Sequence, residues 1–433
     1  MDNQKTHLAK NDVKPELLMP AGSLSKLRYT YAFGADAAYV GVPFFSLRAR
    51  ENEFNLEALK EATELARSLN KKLYITANIF ARNRKIKEFD RQISDWAQLK
   101  PDALIMSDPG LIAMVKEKHP EIPIHLSVQA NVMNWQGVKF WHEQLGIERV
   151  ILSRELQINE IKEIKDRVPT VELEAFVHGA ICIAYSGRCL MSSYFSYRDA
   201  NQGVCDNSCR EKFHLFETKK DTSEYYLEDL RNKGDLYQID EDEHGTYIMN
   251  AKDLRLIEYI KEIYDAGVCS LKVEGRTKSE YYVAMVTRAY RQAIDDMMQG
   301  KTFNPELLQE LDKVANRGYH TGFMIQNPQA EGQNYNTSLP RNYTQKFGGV
   351  VIENEAPTGY LPIEVRNKIN LGETGEFITP DNQVFEFKVE KILNPKMEPV
   401  EAAHGGSGVF FIESPLTVPP MTIMSLFTGT LDS

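Results

Sequence analysis

Four cysteines fall inside one short stretch, spaced Cys182-x6-Cys189-x15-Cys205-x3-Cys209, in a chain that has five altogether. Four thiolates gathered by one loop can satisfy one tetrahedral metal ion or one cubane cluster, since each takes four soft ligands. Structural zinc is commonly gripped by paired Cys-x2-Cys turns. The irregular spacing here suits the wider [4Fe–4S] cluster better, with zinc as the alternative metal and four unrelated buried thiols as the plain reading. Cys269 stands far from the group, and a small core residue fits it better than a fifth ligand.

His178 directly precedes the cysteines. It is a candidate acid, base or hydrogen-bond donor, against the simpler role of satisfying loop backbone. Other polar residues fall where apolar runs end: Asn78, Gln129 and Asn131, Arg154 with Glu155, and Glu274 with Arg276. Guanidinium groups grip carboxylates bidentately, so arginines collected at one mouth would suit an anionic small molecule; ordinary salt bridges are the competing reading. Arg188 and Arg198, within the cysteine stretch, fit either role. Two basic segments, Arg82–Lys87 and Arg341–Lys346, are candidate nucleic-acid contacts, although a charge run is most often a solvated face. The chain has no His-Glu-x-x-His, no Gly-x-Ser-x-Gly, no Walker A loop and no Cys-x3-Cys-x2-Cys, so hydrolysis has no visible engine.

Positioning such residues needs a scaffold, and the apolar pattern supplies one. Short apolar runs at Glu16–Ala21, Ala37–Gly41, Lys72–Ile79, Ala103–Ser107, Ile124–Ala130, Arg149–Ser153, Val171–Val177 and Ser270–Val273 read as strands. Helical stretches alternate with them: Leu56–Leu69 behind an Asn55 cap, Glu88–Leu99, Gly110–Lys118, Trp135–Leu145, Ile158–Val168, Leu254–Ala266 and Ser279–Met298. Strands separated by helical crossovers pair in parallel, and eight of them close a (β/α)8 TIM-like barrel. A doubly wound open sheet is the weaker choice, because no Gly-x-Gly-x-x-Gly follows the first strand. The cysteines then lie in an insertion after strand seven, at about residues 180–250, on the face where this fold carries its chemistry. A polar connector runs through Asn327. Beyond Tyr343 the texture changes to short alternating runs, Gly348–Ile352, Leu361–Val365, Thr374–Ile378, Phe385–Val389, Val409–Ile412 and Ile423–Phe427, which predict a small C-terminal β-barrel. The expected division is a lead-in over 1–15, a barrel over 16–342 and a β-module over 343–433.

Composition bounds the rest. With 433 residues, 42% hydrophobic and 26% charged, the chain is globular rather than fibrous or disordered. A net charge of −10 advertises no global basic field, so any nucleic acid must find a local patch. No apolar stretch reads as a secretory signal or a membrane span. A cytoplasmic location is expected, where clustered thiols favour metal or redox chemistry over disulfides.

The segments HGAICIAYSGRCLMSSYFSYRDANQGVCDNSCR (His178–Arg210), EDEHGTYIMNAKDLR (Glu241–Arg255) and SLKVEGRTKSEYYV (Ser270–Val283) resemble the collagenase-like peptidase family U32, and within it the tRNA-hydroxylation subgroup. The resemblance runs through nearly the whole chain. It implies a [4Fe–4S] cluster held by Cys182, Cys189, Cys205 and Cys209. It further implies tRNA as the macromolecular partner, 5-hydroxyuridine formation at the wobble position, and prephenate, a dicarboxylate, as co-substrate. His178 and Glu274 become the expected catalytic residues, and Arg154, Arg188, Arg276 and Asn131 the expected substrate contacts. Two alternatives stay open: a peptidase, as the family label says, and a non-catalytic cluster scaffold working with a homologous U32 protein.

Overall fold

A computed structural model describes residues 13–47, 53–182, 184–196, 198–210, 213–217, 225–229, 236–239, 251–325 and 343–428. Strands and helices alternate from the start: β1 (Glu16–Pro20), α1 (Leu24–Ala32), β2 (Ala37–Gly41), α2 (Leu56–Ser68), β3 (Lys72–Ala77), α3 (Asn83–Gln98), β4 (Ala103–Met106), α4 (Pro109–Lys118), β5 (Ile124–Leu126), α5 (Trp135–Leu145), β6 (Arg149–Ile151), α6 (Ile158–Arg167) and β7 (Glu172–Gly179). The insertion follows, with α7 (Met191–Ser196) and a three-stranded antiparallel sheet of β8 (Phe213–Glu217), β9 (Tyr225–Asp229) and β10 (Leu236–Ile239). After it come β11 (Asp253–Arg255), α8 (Ile260–Asp265), β12 (Val268–Val273), α9 (Glu280–Met298), α10 (Glu306–Asp312) and β13 (Tyr319–His320).

Neighbouring strands β1 to β7 pair in parallel in chain order, and β12 pairs in parallel with both β7 and β1. The sheet therefore closes on itself as a barrel of eight. All five residues of β2 and all four of β4 are buried, as expected of strands covered by helices outside and by side chains within. Local signals set the helix ends. The Asn55 side chain accepts from the Ala58 amide to open α2, and Gly146, at φ 59°, closes α5 in the left-handed conformation that glycine adopts without a steric cost.

Several elements depart from their expected limits. Helix α3 begins at Asn83 rather than Glu88, so the basic run Arg82–Lys87 is a cap and first turns of helix, not a loop. Strand β5 stops at Leu126 and a 3-10 turn covers Val128–Ala130. The stretch expected as one helix over Leu254–Ala266 is strand β11, a 3-10 turn and the short α8. Helix α1 was not expected from its sequence. Of the insertion, the segments between the described strands lie outside the described residues, as do residues 1–12 of the lead-in and Arg341 of the second basic segment.

The C-terminal module contains β14 (Gln345–Val351), β15 (Tyr360–Val365), β16 (Ile369–Asn370), β17 (Thr374–Ile378), β18 (Val384–Lys388), β19 (Ile392–Leu393), β20 (Pro399–Val400), β21 (Ala402–Ala403), β22 (Val409–Glu413) and β23 (Ile423–Phe427). Eight of these form one antiparallel sheet curled into a half-barrel, in the order β18-β17-β23-β14-β15-β22-β19-β20. Its core holds Ile363, Phe377, Ile412 and Met424. It rests on α9, where the Tyr281 ring stacks on Phe347 at 5.2 Å and its hydroxyl lies 2.8 Å from Ser425 Oγ. A partly buried ion pair between Lys313 and Glu376, at 2.6 Å, adds to the contact.

The barrel interior is polar at its lower end. Arg149 contacts Glu16 at 2.6 Å, Glu172 at 2.7 Å and Glu174 at 3.3 Å, while Lys272 Nζ lies 2.7 Å from the other Glu174 oxygen. Tyr74 and Ser270 donate to Glu16. Burial opposes the Glu16 charge, but Arg149 and the Tyr74 hydroxyl hold its pKa below the usual carboxylate range. Interior charges of this kind are tolerable only when both signs are present and hydrogen-bonded.

Candidate functional site

The C-terminal ends of the barrel strands surround a cavity of about 460 Å³. Among the described residues its charged lining consists of Lys272, Arg154, Arg276 and Glu274, three cations to one carboxylate, a balance that favours an anionic occupant. The cations alternate with two aromatic rings. Arg154 stands 3.8 Å from the Phe176 centroid, and Lys272 stands 5.5 Å from Phe176 and 4.3 Å from Tyr39. Arg276 completes the row at 5.9 Å from Tyr39. Ring faces attract cations, so the two rings hold three like charges in place at the end of one sheet.

Each cation has a local anchor. Lys272 is held from below by Glu174, and burial, the dominant cause, lowers its pKa despite that carboxylate. Arg154 lies 3.8 Å from Glu274, and Arg276 donates to the Leu47 carbonyl. Neutral hydrogen-bonding groups make up a further part of the lining. Asn78 donates to Ser127 and accepts from the Leu47 amide, and Thr76 Oγ1, buried in the wall, has no hydrogen-bond partner among the described residues.

Cys182, Cys189, Cys205 and Cys209 all line this same cavity, and none is in a disulfide. Their loop is fastened to the barrel. Gly187, at φ 75°, presses against the 3-10 turn after β5 so closely that a Cβ there would lie 2.1 Å from the Gln129 carbonyl oxygen. Asn201 donates to the Cys189 carbonyl at 2.9 Å and accepts from Gln129 at 3.4 Å. Between Cys205 and Cys209, Asp206 accepts from the Ser208 amide and hydroxyl. Burial works against its charge, yet the hydroxyls of Ser196, Ser208 and Ser192 help hold its pKa at about 2. Burial pushes the Cys189 thiol up, and Cys182 and Cys205 push it the same way. Four thiols lining one cavity, on a loop held to the barrel at Gly187 and Asn201, match in chemistry and number the donor set of a [4Fe–4S] cluster. Among the described residues, no group of three or more His, Cys, Asp and Glu side chains is arranged to hold a single metal ion.

Of the expected site residues, Arg154, Glu274, Arg276 and the four cysteines meet at the cavity. Three do not. His178 is 1% exposed, enclosed by the rings of Tyr282, Tyr290 and Tyr319. The reason is a bulge. Lys272 pairs with Phe176, but the next residue, Val273, pairs with His178 and skips Val177, so His178 is re-aimed from the barrel interior toward α9. Its side chain therefore lies apart from the cavity it was expected to face. Burial above all, then the charges of Arg255 and Lys278, drives its pKa down to about 3. Arg188 is exposed on the cysteine loop outside the cavity lining. Asn131, at φ 51°, caps the 3-10 turn after β5 and accepts from Ser153. Cys269 lies apart, 3.4 Å from the Leu173 carbonyl, with burial raising its pKa to about 11.

Sequence reasoning missed Lys272, Tyr39 and Phe176. A lone lysine inside the apolar run Ser-Leu-Lys-Val was a usable signal, because a charge in a buried strand must serve something. No helix among the described residues is long and apolar enough to cross a membrane.

Comparison with known sequences adds to this geometry. The profile of Peptidase family U32 matches residues 22–334, and that of the Peptidase family U32 C-terminal domain matches residues 343–425. The tRNA hydroxylation protein P of Haemophilus influenzae is 45% identical, the alignment covering 93% of this chain and 94% of that one. The protein of the same name from Escherichia coli is 44% identical over 96% and 98% of the two chains. The tRNA hydroxylation protein P1 of Bacillus subtilis is 36% identical over 90% and 89%.

Proposed function

From a chain that belongs to peptidase family U32, we propose a protein of tRNA modification that forms 5-hydroxyuridine at the wobble position. The observation that carries this reading is the meeting of all four clustered cysteines with Lys272, Arg154 and Arg276 in one cavity, in a chain similar over nearly its full length to proteins named for tRNA hydroxylation. Cys182, Cys189, Cys205 and Cys209 would hold a [4Fe–4S] cluster. When bound, such a cluster supplies one-electron redox chemistry and Lewis-acidic iron.

The remaining groups have roles of their own. Lys272, Arg154 and Arg276 bind the carboxylates of the co-substrate, for which prephenate is the expected dicarboxylate, through charge-assisted hydrogen bonds. The Tyr39 and Phe176 rings orient those cations and exclude water from between them. Glu274, beside Arg154, is the one carboxylate in the cavity positioned to accept or return a proton. Asn78, Ser127 and Gln129 present neutral donors and acceptors suited to a pyrimidine edge.

The test is mass spectrometry of tRNA nucleosides from a strain lacking the gene, with and without the gene returned. Loss and restoration of 5-hydroxyuridine-derived nucleosides is expected; an unchanged nucleoside profile would sink the proposal. The peptidase reading, which the family label carries, instead requires peptide cleavage that survives repurification and vanishes in a point variant of the cavity.

A further inference from the structure

The basic run that opens α3 has no part in the cavity, yet it borders it. Arg82, Arg84, Lys85 and Lys87 concentrate four cations in a chain whose net charge is −10. Arg82 reaches Asp199 Oδ2 at 3.3 Å. The other Asp199 oxygen accepts from the Asn201 amide, and Asn201 in turn holds the Cys189 carbonyl. Gln202 also donates to the Phe80 carbonyl, just ahead of the run. The start of α3 and the cysteine loop therefore form one continuous rim.

Two further observations mark this rim as a binding surface. Phe44, which follows β2, is 69% exposed and sits at φ 66°, a conformation that is a genuine outlier for a bulky side chain. It is pinned there by Lys85, whose Nζ donates to the Phe44 carbonyl at 2.7 Å. Tyr185, in the cavity lining, is 56% exposed. Exposed rings beside cations are how proteins hold unpaired nucleotides, with phosphates on the cations and bases on the ring faces. Among the described residues, Arg84 and Lys87 have no ion-pair partner. Burial lowers the pKa of Lys85, and the neighbouring charges of Arg84 and Arg82 add to the effect.

We propose that a single-stranded RNA loop docks on this rim, its phosphates on Arg82, Arg84 and Lys87 and a base stacked on Phe44, with Tyr185 meeting the next base at the cavity mouth. This rests on the tRNA reading above and assigns it a surface.

The test uses the full chain, purified without oxygen, and fluorescence anisotropy with a labelled RNA hairpin that has an unpaired, uridine-containing loop. Wild-type protein binds the hairpin, and binding weakens with salt. R84E/K87E lowers affinity by on the order of tenfold or more and reduces the slope of log K against log salt by about two. F44A lowers affinity on the order of tenfold without changing that slope. K368E/K396E, the same charge change on the exposed C-terminal module, leaves binding unchanged. Wild-type binding that R84E/K87E and F44A do not disturb would overturn the rim assignment and leave the tRNA reading intact. Equal weakening in K368E/K396E also overturns it, as a general charge effect. A wild-type protein that binds no RNA removes the tRNA reading and this inference together.

Discussion

Arg154 stands over Phe176 with its guanidinium carbon 3.8 Å from the ring centroid. A delocalised guanidinium suits a ring face at this range better than a compact, strongly hydrated ammonium does. Arg154→Lys keeps the charge and loses the guanidinium, so it should behave much like Arg154→Ala. Both should raise KM for the anionic co-substrate by roughly tenfold to a hundredfold, the range of one charge-assisted hydrogen bond. Steady-state nucleoside formation against prephenate concentration reads this out. A lysine variant with wild-type KM would show that charge alone suffices.

The four cysteines and the fifth should separate cleanly. Serine at Cys182, Cys189, Cys205 or Cys209 should each deplete iron and sulfide in anaerobically purified protein, because each would remove one of the four proposed ligands. Cys269→Ser should keep a full complement, since that thiol lies against the Leu173 carbonyl away from the cavity. Elemental analysis and visible absorbance decide it, and a cluster lost from Cys269→Ser would count against the assignment.

Removing the Glu174 charge should be costly. Glu174 is fully buried and faces both Arg149 and Lys272. Glu174→Ala leaves two cations with less compensation, and breaking a buried pair from one side costs about 3 to 5 kcal/mol. Urea unfolding should show the midpoint falling by the corresponding amount. A loss under about 1 kcal/mol would mean water reaches the gap and solvates the cations.

Acid should destabilise the fold partly through His178. Its folded pKa is near 3 against an ordinary value of 6.5, so below 6.5 the unfolded chain takes up a proton that the folded chain refuses. The stabilisation is complete above about pH 6.5 and is lost as the pH falls toward 3, at up to about 1.4 kcal/mol per pH unit. His178→Phe preserves a ring among the three tyrosines and removes the titration. Its unfolding free energy should therefore depend on pH less steeply by about one proton. Parallel pH profiles for the two proteins would refute the assignment.

The barrel was legible because its strands are short apolar runs punctuated by helical stretches. The same pattern hid α1, whose Leu27, Tyr29, Thr30 and Tyr31 are buried in near succession and so show no amphipathic stripe. Helix α10 has only seven residues, too few to display a period. The cysteines were readable from spacing alone, whereas Arg154 and Arg276 were readable only as polar residues at strand ends. His178 was misplaced because simple alternation along β7 aims it inward, and no residue in Glu-Ala-Phe-Val-His announces a bulge. Glu16, Arg149 and Glu174 escaped notice because a charged residue near a strand start reads as surface. Only the closed barrel reveals that these strand starts share one interior.

Lys272 belongs to two structures at once: its ammonium completes the interior charge balance with Glu174, and it occupies the centre of the row of cations and rings above. For an engineer retargeting the cavity to another anion, this divides the cations into two kinds. Arg154 and Arg276 sit beyond the strand ends and can be exchanged for their effect on ligand choice. A change at Lys272 would alter ligand choice and foldability together, so a library randomised there would be enriched for stability suppressors before it was enriched for new specificity.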